Sequence, residues 1–415
     1  MAATDTTLDV TALRGRFPAL ARVAPDGRPY VWADAPGGSQ MVDTAIAAIT
    51  DRIRGGASNT HGVFPLSVEI DALITDARRA GADLLGCDPN EVLFGQNTTS
   101  LLLHLSRSIG RTWRRGDEIV VTRLDHDANI RPWLLAARDA GATVRWVDVH
   151  EDDVTIDLGS FDAQLTDRTK LVAFTLASNA VGTIPPAADL IARAKRTGAI
   201  VAIDGVHFAQ HRAIDLHTLG ADIVATSPYK YFGPHQGLVG VRADLLASLE
   251  PYKLRAAPDD DPDRWESGTQ NHEALAGTIA AIDYIAGVGG GGDRPSRIRA
   301  GYAAFERHER TLAERFLEGV AQLDHVRVYG ITDPARLDER TPTFAVRVGG
   351  RDPVETCRAL AERGIFTWDG HYYAIEIFER LGLLADGGAV RIGFCHYHTP
   401  DEVDRVLQGL AELPR

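Results

Sequence analysis

The chain has 415 residues, 44% hydrophobic and 24% charged, proportions that exclude a disordered or fibrous class. Its formal net charge of −13 argues against nucleic acid or an anionic membrane as partner, because both select a basic face. The opening "MAATDTTLDV" has no signal-peptide pattern, the apolar runs are strand-sized, and the three cysteines are scattered. A cytoplasmic protein with reduced thiols and no membrane span is therefore expected.

In chain order, short apolar runs alternate with amphipathic stretches. "EVLFG" (91–95) precedes the helical "TTSLLLHLSRSIGRTW", and "EIVVT" (118–122) precedes "ANIRPWLLAARDAG". "TVRWVDV" (143–149), "KLVAFTLA" (170–177), "AIVAID" (199–204) and "ADIVATS" (221–227) follow, with "ADLIARAKRTG" as a helix among them. This alternation predicts an α/β fold with a mainly parallel sheet, helices on both faces, and ligands at the carboxyl ends of the strands. The glycine-rich "GVGGGGDRP" (287–295) reads as a hinge. Beyond it, a long helix from Ile298 to about Asp324 leads into "TFAVRV", "DPVETCRALAERG", "IFTW", "AVRIGFCHY" and a closing helix, a smaller α/β unit. The expected division is an N-terminal segment (1–33) that packs with the small domain, a large domain (34–290) and a small domain (296–415).

The polar residues that close the strands form a set. Gln96-Asn97-Thr98-Thr99 opens a helix, where free N–H groups and hydroxyls suit a phosphate dianion, though an ordinary helix cap has the same pattern. His126 follows the second strand, and Ser178-Asn179 follows "KLVAFTLA". Asp204 ends "AIVAID", with His207 three residues on, and the last strand delivers Ser227 and then Lys230 inside "SPYKYFGP". Singly, each has a structural explanation as a turn, a cap or a packed imidazole. Together, a phosphate site, an imidazole plate, a buried carboxylate and a lysine meet the requirements of pyridoxal 5′-phosphate (PLP). A desolvated lysine amine condenses with the cofactor aldehyde. An ionised aspartate keeps the pyridine nitrogen protonated, and Asn179 and His207 can hydrogen-bond the ring edge.

The motifs "NTTS", "LDHDANIRPW", "ASNAVGT", "AIDGVHFAQH", "TSPYKYFGP", "ESGTQN" and "VRIGFCHYHT" resemble the class V aminotransferase family of fold-type I PLP enzymes. The subgroup they resemble is that of the cysteine desulfurases and selenocysteine lyases. The resemblance implies the fold-type I architecture and assigns Lys230 as the Schiff-base lysine, Asp204 as the pyridine-nitrogen partner, His126 as the stacking residue and Asn179 as a ligand of the ring hydroxyl. It places the phosphate on Thr98, Thr99 and Ser227, next to Asn97. Gly268 and Thr269 would reach the phosphate of a neighbouring subunit, which implies a homodimer. Arg391 would grip the α-carboxylate of an amino-acid substrate through its planar fork.

Two departures bear on the chemistry. Tyr229 stands where desulfurases usually have a histidine, and its hydroxyl is expected to reach the phosphate. The segment "TWDGHYYA" (367–374) aligns with the loop that carries the sulfur-accepting cysteine, yet it offers His371, Tyr372 and Tyr373. Among the cysteines, Cys395 is expected to share a strand face with Arg391 by alternation. The preferred reading is a PLP-dependent lyase that cleaves the carbon–sulfur bond of a cysteine-derived, S-substituted amino acid by β-elimination. In it Lys230 is the base, and His371, Tyr372 or Tyr373 supplies the proton of the leaving group. Desulfuration, epimerisation, transamination and decarboxylative oxidation use the same cofactor set. From other classes, a metal hydrolase using "HYH" (396–398) and an idle scaffold are weighed, and no metal is expected. A nicotinamide enzyme is disfavoured because no GxGxxG follows an early strand.

Overall fold

A computed structural model describes residues 8–413. Its large sheet has seven strands: β1 (Val92–Gly95), β2 (Glu118–Thr122), β3 (Thr143–Val147), β4 (Thr169–Thr175), β5 (Ile200–Asp204), β6 (Ile223–Thr226) and β7 (Gly237–Val241). They lie in the order β1-β7-β6-β5-β4-β2-β3. Strands β2 to β6 run parallel, whereas β7 is antiparallel to both β6 and β1. Helices cover both faces, so the inner strands are buried along nearly their whole length and read as continuous apolar runs.

Strand β7, "GLVGV", is the one the sequence did not announce in this sheet, because two glycines dilute its apolar run. It decides where the site lies. Reversing the chain after β6 creates the tight corner 227–236, and Lys230 is carried in that corner. Gly237 begins β7 against the turn that precedes the helix Thr98–Gly110. A Cβ there would lie 2.5 Å from the Asn97 carbonyl carbon and 2.7 Å from the Thr98 nitrogen. Only glycine lets the two backbones approach so closely.

The C-terminal sheet is antiparallel, in the order β10-β11-β9-β8. It comprises β8 (Val326–Tyr329), β9 (Thr343–Val348), β10 (Trp368–Gly370) and β11 (Ala389–Gly393). The glycine run at 289–293 turns the chain between the helices His272–Val288 and Arg294–Val320. The N-terminal segment crosses the C-terminal unit. Val31 bridges Ile365, Asp34 bridges Gly393, and Arg14 pairs with Glu402 at 2.7 Å. Between Asp34 and Ser39 this segment passes over the carboxyl ends of β4, β5 and β6 as a strap. Among the described residues no helix is long and apolar enough to cross a membrane.

Replacing Gly237 by alanine forces backbone to shift in two segments at once. We expect Gly237→Ala to lose about 1–3 kcal/mol of stability and to weaken PLP retention, read by denaturant melts and cofactor absorbance after dialysis. Unchanged retention would show that the 97–99 turn tolerates the displacement.

Candidate active site

The carboxyl ends of β2, β4, β5 and β6 open into one cavity of about 660 Å³. Most of the residues expected from the sequence line it: Asn97, Thr98, Thr99, His126, Asn179, Asp204, His207, Ser227, Tyr229, Lys230, Tyr372, Tyr373 and Arg391. His371, Gly268 and Thr269 do not. Gly268 and Thr269 lie exposed outside the cavity, ahead of the helix His272–Val288.

One end suits an anion. Asn97 caps the helix Thr98–Gly110 by accepting from the Ser100 N–H at 2.8 Å, which aims the first-turn N–H groups toward the cavity. The Thr98 hydroxyl donates to the Thr226 carbonyl at 2.6 Å and lies 2.5 Å from the Ser227 hydroxyl. The capped turn is therefore the same one that the sequence nominates for a phosphate. The two explanations weighed from the sequence are compatible.

At the centre lies Lys230, 7% exposed. Its Nζ donates to the Pro36 carbonyl of the strap and sits 4.9 Å from the Tyr229 ring centre. Burial, reinforced by the positive charge of Arg391, lowers its pKa to about 7. Asp204 is paired in register with Thr175, and its carboxylate accepts from the Val206 N–H at 2.8 Å. Burial raises its pKa to about 6, while the Val206 N–H and the Lys230 charge pull it back.

A second buried carboxyl, Asp125, went unnoticed in "LDHDAN". It accepts from Asn129 Nδ2 at 2.7 Å and from the Thr122 hydroxyl. Burial, with the negative charge of Asp204 adding to it, pushes Asp125 up to about 8. Of the two acids, Asp204 is thus the one that ionises first.

His126 is neutral at physiological pH, because burial and the charges of Lys230 and Arg391 lower its pKa to about 3. Its Nδ1 accepts from the Ala128 N–H at 3.0 Å, which leaves the ring proton on Nε2. Its ring stacks on Tyr373, with centroids 5.4 Å apart and planes at 21°. His207 is held through Nε2 by the hydroxyls of Thr341 (3.1 Å) and Thr343 (3.0 Å).

The segment after β10 departs furthest from expectation. Tyr372 and Tyr373 both take left-handed backbone angles, φ 51° and 60°, which are costly for side-chain-bearing residues. Site residues hold them there: Asn179 Nδ2 donates to the Tyr372 carbonyl at 2.9 Å, and the Asp127 N–H donates to the Tyr373 carbonyl at 2.7 Å. The result turns the two rings in opposite directions. Tyr372 is buried, its hydroxyl donating to the Ala389 carbonyl and its ring lying under the Arg391 guanidinium at 4.6 Å. Tyr373 is 65% exposed at the cavity mouth, near Trp368.

Three expectations are corrected by this geometry. Tyr372 does not offer a free hydroxyl to the cavity. His371 stands outside the cavity wall and uses Nδ1 to accept from the Tyr373 N–H at 3.2 Å. Cys395 shares no face with Arg391, because β11 ends at Gly393 and the chain then turns into the aromatic core around Phe17 and Tyr284. No cysteine lines the cavity, and burial raises the pKa of all three thiols, that of Cys357 to about 12. The histidines of "HYH" are likewise committed, His396 to the Tyr284 hydroxyl (2.7 Å) and His398 to the Trp32 carbonyl (3.0 Å). Among the described residues, the one group of three or more metal-type ligands within reach of one another is Asp88, Glu91 and His217, where Glu91 already takes part in hydrogen bonds with the Asp88 N–H, the Ala243 N–H and His217.

The family model of class-V aminotransferases matches residues 31–406. The chain belongs to that family. A probable cysteine desulfurase 2 of Mycobacterium leprae is 32% identical over 98% of this chain and 96% of its own length. A probable cysteine desulfurase of Streptomyces coelicolor is also 32% identical, over 98% and 97%. Among solved structures, the apo cysteine desulfurase of Thermococcus onnurineus NA1 superposes with a TM-score of 0.87 at 26% identity, covering 99% of both chains. A structure of C-DES with glycine covalently linked to its PLP cofactor shares the fold, with a TM-score of 0.80 at 20% identity over 97% of this chain and 99% of its own. The cavity of this family member fits PLP on its own terms. Asn179 Oδ1 and His207 Nδ1 are buried polar atoms without partners on residues of the cavity wall, where the cofactor would supply the missing groups. The protein is a PLP-dependent lyase.

The lowered pKa of Lys230 has a testable sign. Only the neutral amine attacks an aldehyde, so the rate at which cofactor-free protein captures PLP should rise as pH passes about 7. Arg391→Gln removes a like charge, stabilises the ammonium and moves the midpoint upward, which slows capture at neutral pH. Stopped-flow absorbance across about pH 5–9, roughly two units either side of neutrality, reads both. Identical midpoints in the two proteins would refute the assigned electrostatic coupling.

Proposed function

We propose that this protein cleaves the carbon–sulfur bond of a cysteine-derived amino acid bearing a substituent on sulfur, by β-elimination. The observation that carries this reading is the cavity mouth: where a sulfur acceptor would stand, Tyr373 presents an exposed phenol, and no thiol lines the cavity. The wall beyond the cofactor site carries the apolar side chains of Leu103, Pro132, Leu135 and Trp368 beside Asp127 and Arg131, a lining that suits a substituent on sulfur.

In this reading Thr98, Thr99 and Ser227, with the helix N-terminus capped by Asn97, hold the phosphate of PLP. Asp204 would serve its pyridine nitrogen, His126 its ring face, and Asn179 and His207 its ring edge. Tyr229 closes the phosphate end, while Gly268 and Thr269 serve the site of a second subunit in a homodimer. PLP, when bound, draws electrons from the α-carbon of the amino acid it holds, so that the α-hydrogen becomes acidic and a β-substituent can leave. Arg391 fixes the substrate by its α-carboxylate. Lys230, whose neutral amine is populated from about pH 7 upward, takes the proton from the α-carbon. The Tyr373 hydroxyl delivers a proton to the departing sulfur.

A second reading is favoured by the names of the relatives: cysteine desulfuration, with sulfur released to a small acceptor rather than to a protein thiol. The two are separated by products. Supplied with an S-alkylcysteine, the PLP-loaded protein should yield pyruvate, ammonia and the alkyl thiol by mass spectrometry. Alanine from free cysteine, with S-alkylcysteine inert, would replace β-elimination by desulfuration.

The role of Tyr373 has its own test. Tyr373→Phe should slow elimination of an alkyl thiolate by about 10²-fold, the ordinary worth of a general acid. A leaving group of low pKa, such as a nitrothiophenolate, needs no proton and should depart at a near-normal rate. Equal slowing of both leaving groups would assign Tyr373 to packing instead.

A further inference from the structure

Arg391 is 5% exposed, and its fork is held at two points. Nη1 donates to the Asn179 carbonyl at 3.2 Å, and Nη2 donates to Asp34 Oδ1 at 3.1 Å. Nε is buried without a partner. A guanidinium bound in this way keeps one edge, made of Nε and the remaining Nη2 hydrogen, for a carboxylate in the cavity.

The strap is shaped around the residue that makes this possible. The Asp34 side chain lines the same cavity and makes no other hydrogen bond among the described residues. Its carboxylate rests against Gly37, where a Cβ would lie 2.2 Å from Asp34 Oδ2. A side chain at position 37 would push the carboxylate off the guanidinium. Backbone bonds tie the strap down on both sides. Gly37 N–H donates to the Asp34 carbonyl at 3.0 Å, Gln210 Nε2 donates to the Ala35 carbonyl at 3.0 Å, and Ser39 N–H donates to the Tyr229 carbonyl at 3.1 Å. The same strap offers the Pro36 carbonyl to Lys230.

We propose that Asp34 is a positioning residue for Arg391: its carboxylate holds the guanidinium so that the Nε edge stays open to the α-carboxylate of the amino-acid substrate. This rests on the reading of Arg391 as the carboxylate grip. The physical reason is that a buried guanidinium satisfies its donors wherever it can. With no acceptor at Nη2, it rotates toward another, and the free edge is lost. Asparagine at position 34 retains an acceptor oxygen, whereas alanine does not.

The test is equilibrium binding to the PLP-loaded protein, read by the change in cofactor absorbance on adding glycine, which has an α-carboxylate, or glycinamide, which lacks one. In the wild-type protein glycine should bind at least about tenfold more tightly than glycinamide, the worth of a charge-assisted hydrogen bond. Asp34→Ala should weaken glycine about tenfold and leave glycinamide unchanged, and Asp34→Asn should restore glycine binding. Glycine binding unchanged in Asp34→Ala overturns the inference while the Arg391 reading stands. Equal weakening of both ligands also overturns it, because the loss would then be structural. A wild-type protein that fails to distinguish the two ligands refutes the Arg391 reading itself, and the inference falls with it.

Discussion

An amine taken out of water without a carboxylate to meet it is the constraint around which this structure is arranged. Lys230 makes its contact with a neutral carbonyl, that of Pro36, and packs on an aromatic ring. Asp34 and Asp204 act on it only at a distance, and they raise its pKa less than burial lowers it. The outcome is a nucleophile that is substantially unprotonated at neutral pH. The antiparallel reversal into β7, the aromatic pair flanking the lysine and the strap above it all serve that desolvation.

The remaining charges are apportioned around this neutral centre. Of the two buried acids beneath the site, Asp125 holds its proton up to about pH 8 and Asp204 to about pH 6. The lower of the two therefore supplies the anion and the upper one stays neutral, so two carboxylates are not charged side by side. On the opposite wall, the buried guanidinium of Arg391 is matched by Asp34. The cavity combines a lysine near its titration midpoint, a neutral imidazole and a paired arginine, an arrangement suited to a zwitterionic amino acid.

Much of this was legible in the sequence because it lies at strand ends. The parallel strands announce themselves by apolar runs, and the polar residues that close each run or follow it within a few positions belong at the carboxyl edge of the sheet. His126, Asn179, Asp204 and Ser227 were found in this way. What was missed came from segments without periodicity. The strand "GLVGV" was hidden by glycines that close backbone approach requires, and "HVRVYG", which contains β8, was too short to stand out. Asp34 sits in "ADAPGG", where a carboxylate before Pro-Gly-Gly looks like an ordinary turn residue, and only the fold brings it to Arg391. The fates of Tyr372 and Cys395 were misjudged for a related reason. A left-handed backbone and an early strand end both break the alternation on which facing arguments depend.

Asn179 has one planar amide with two tasks on opposite corners. Its nitrogen holds the Tyr372 carbonyl, and its oxygen is the corner left for a ligand. Because the two corners belong to one rigid group, the backbone twist at Tyr372 and Tyr373 and the occupancy of the ring-edge position are thermodynamically linked. Anything that pulls the oxygen into line steadies the backbone twist at Tyr372 and Tyr373, and anything that loosens the twist frees the amide to swing. The mouth of the cavity thus carries a record of what is bound at its floor.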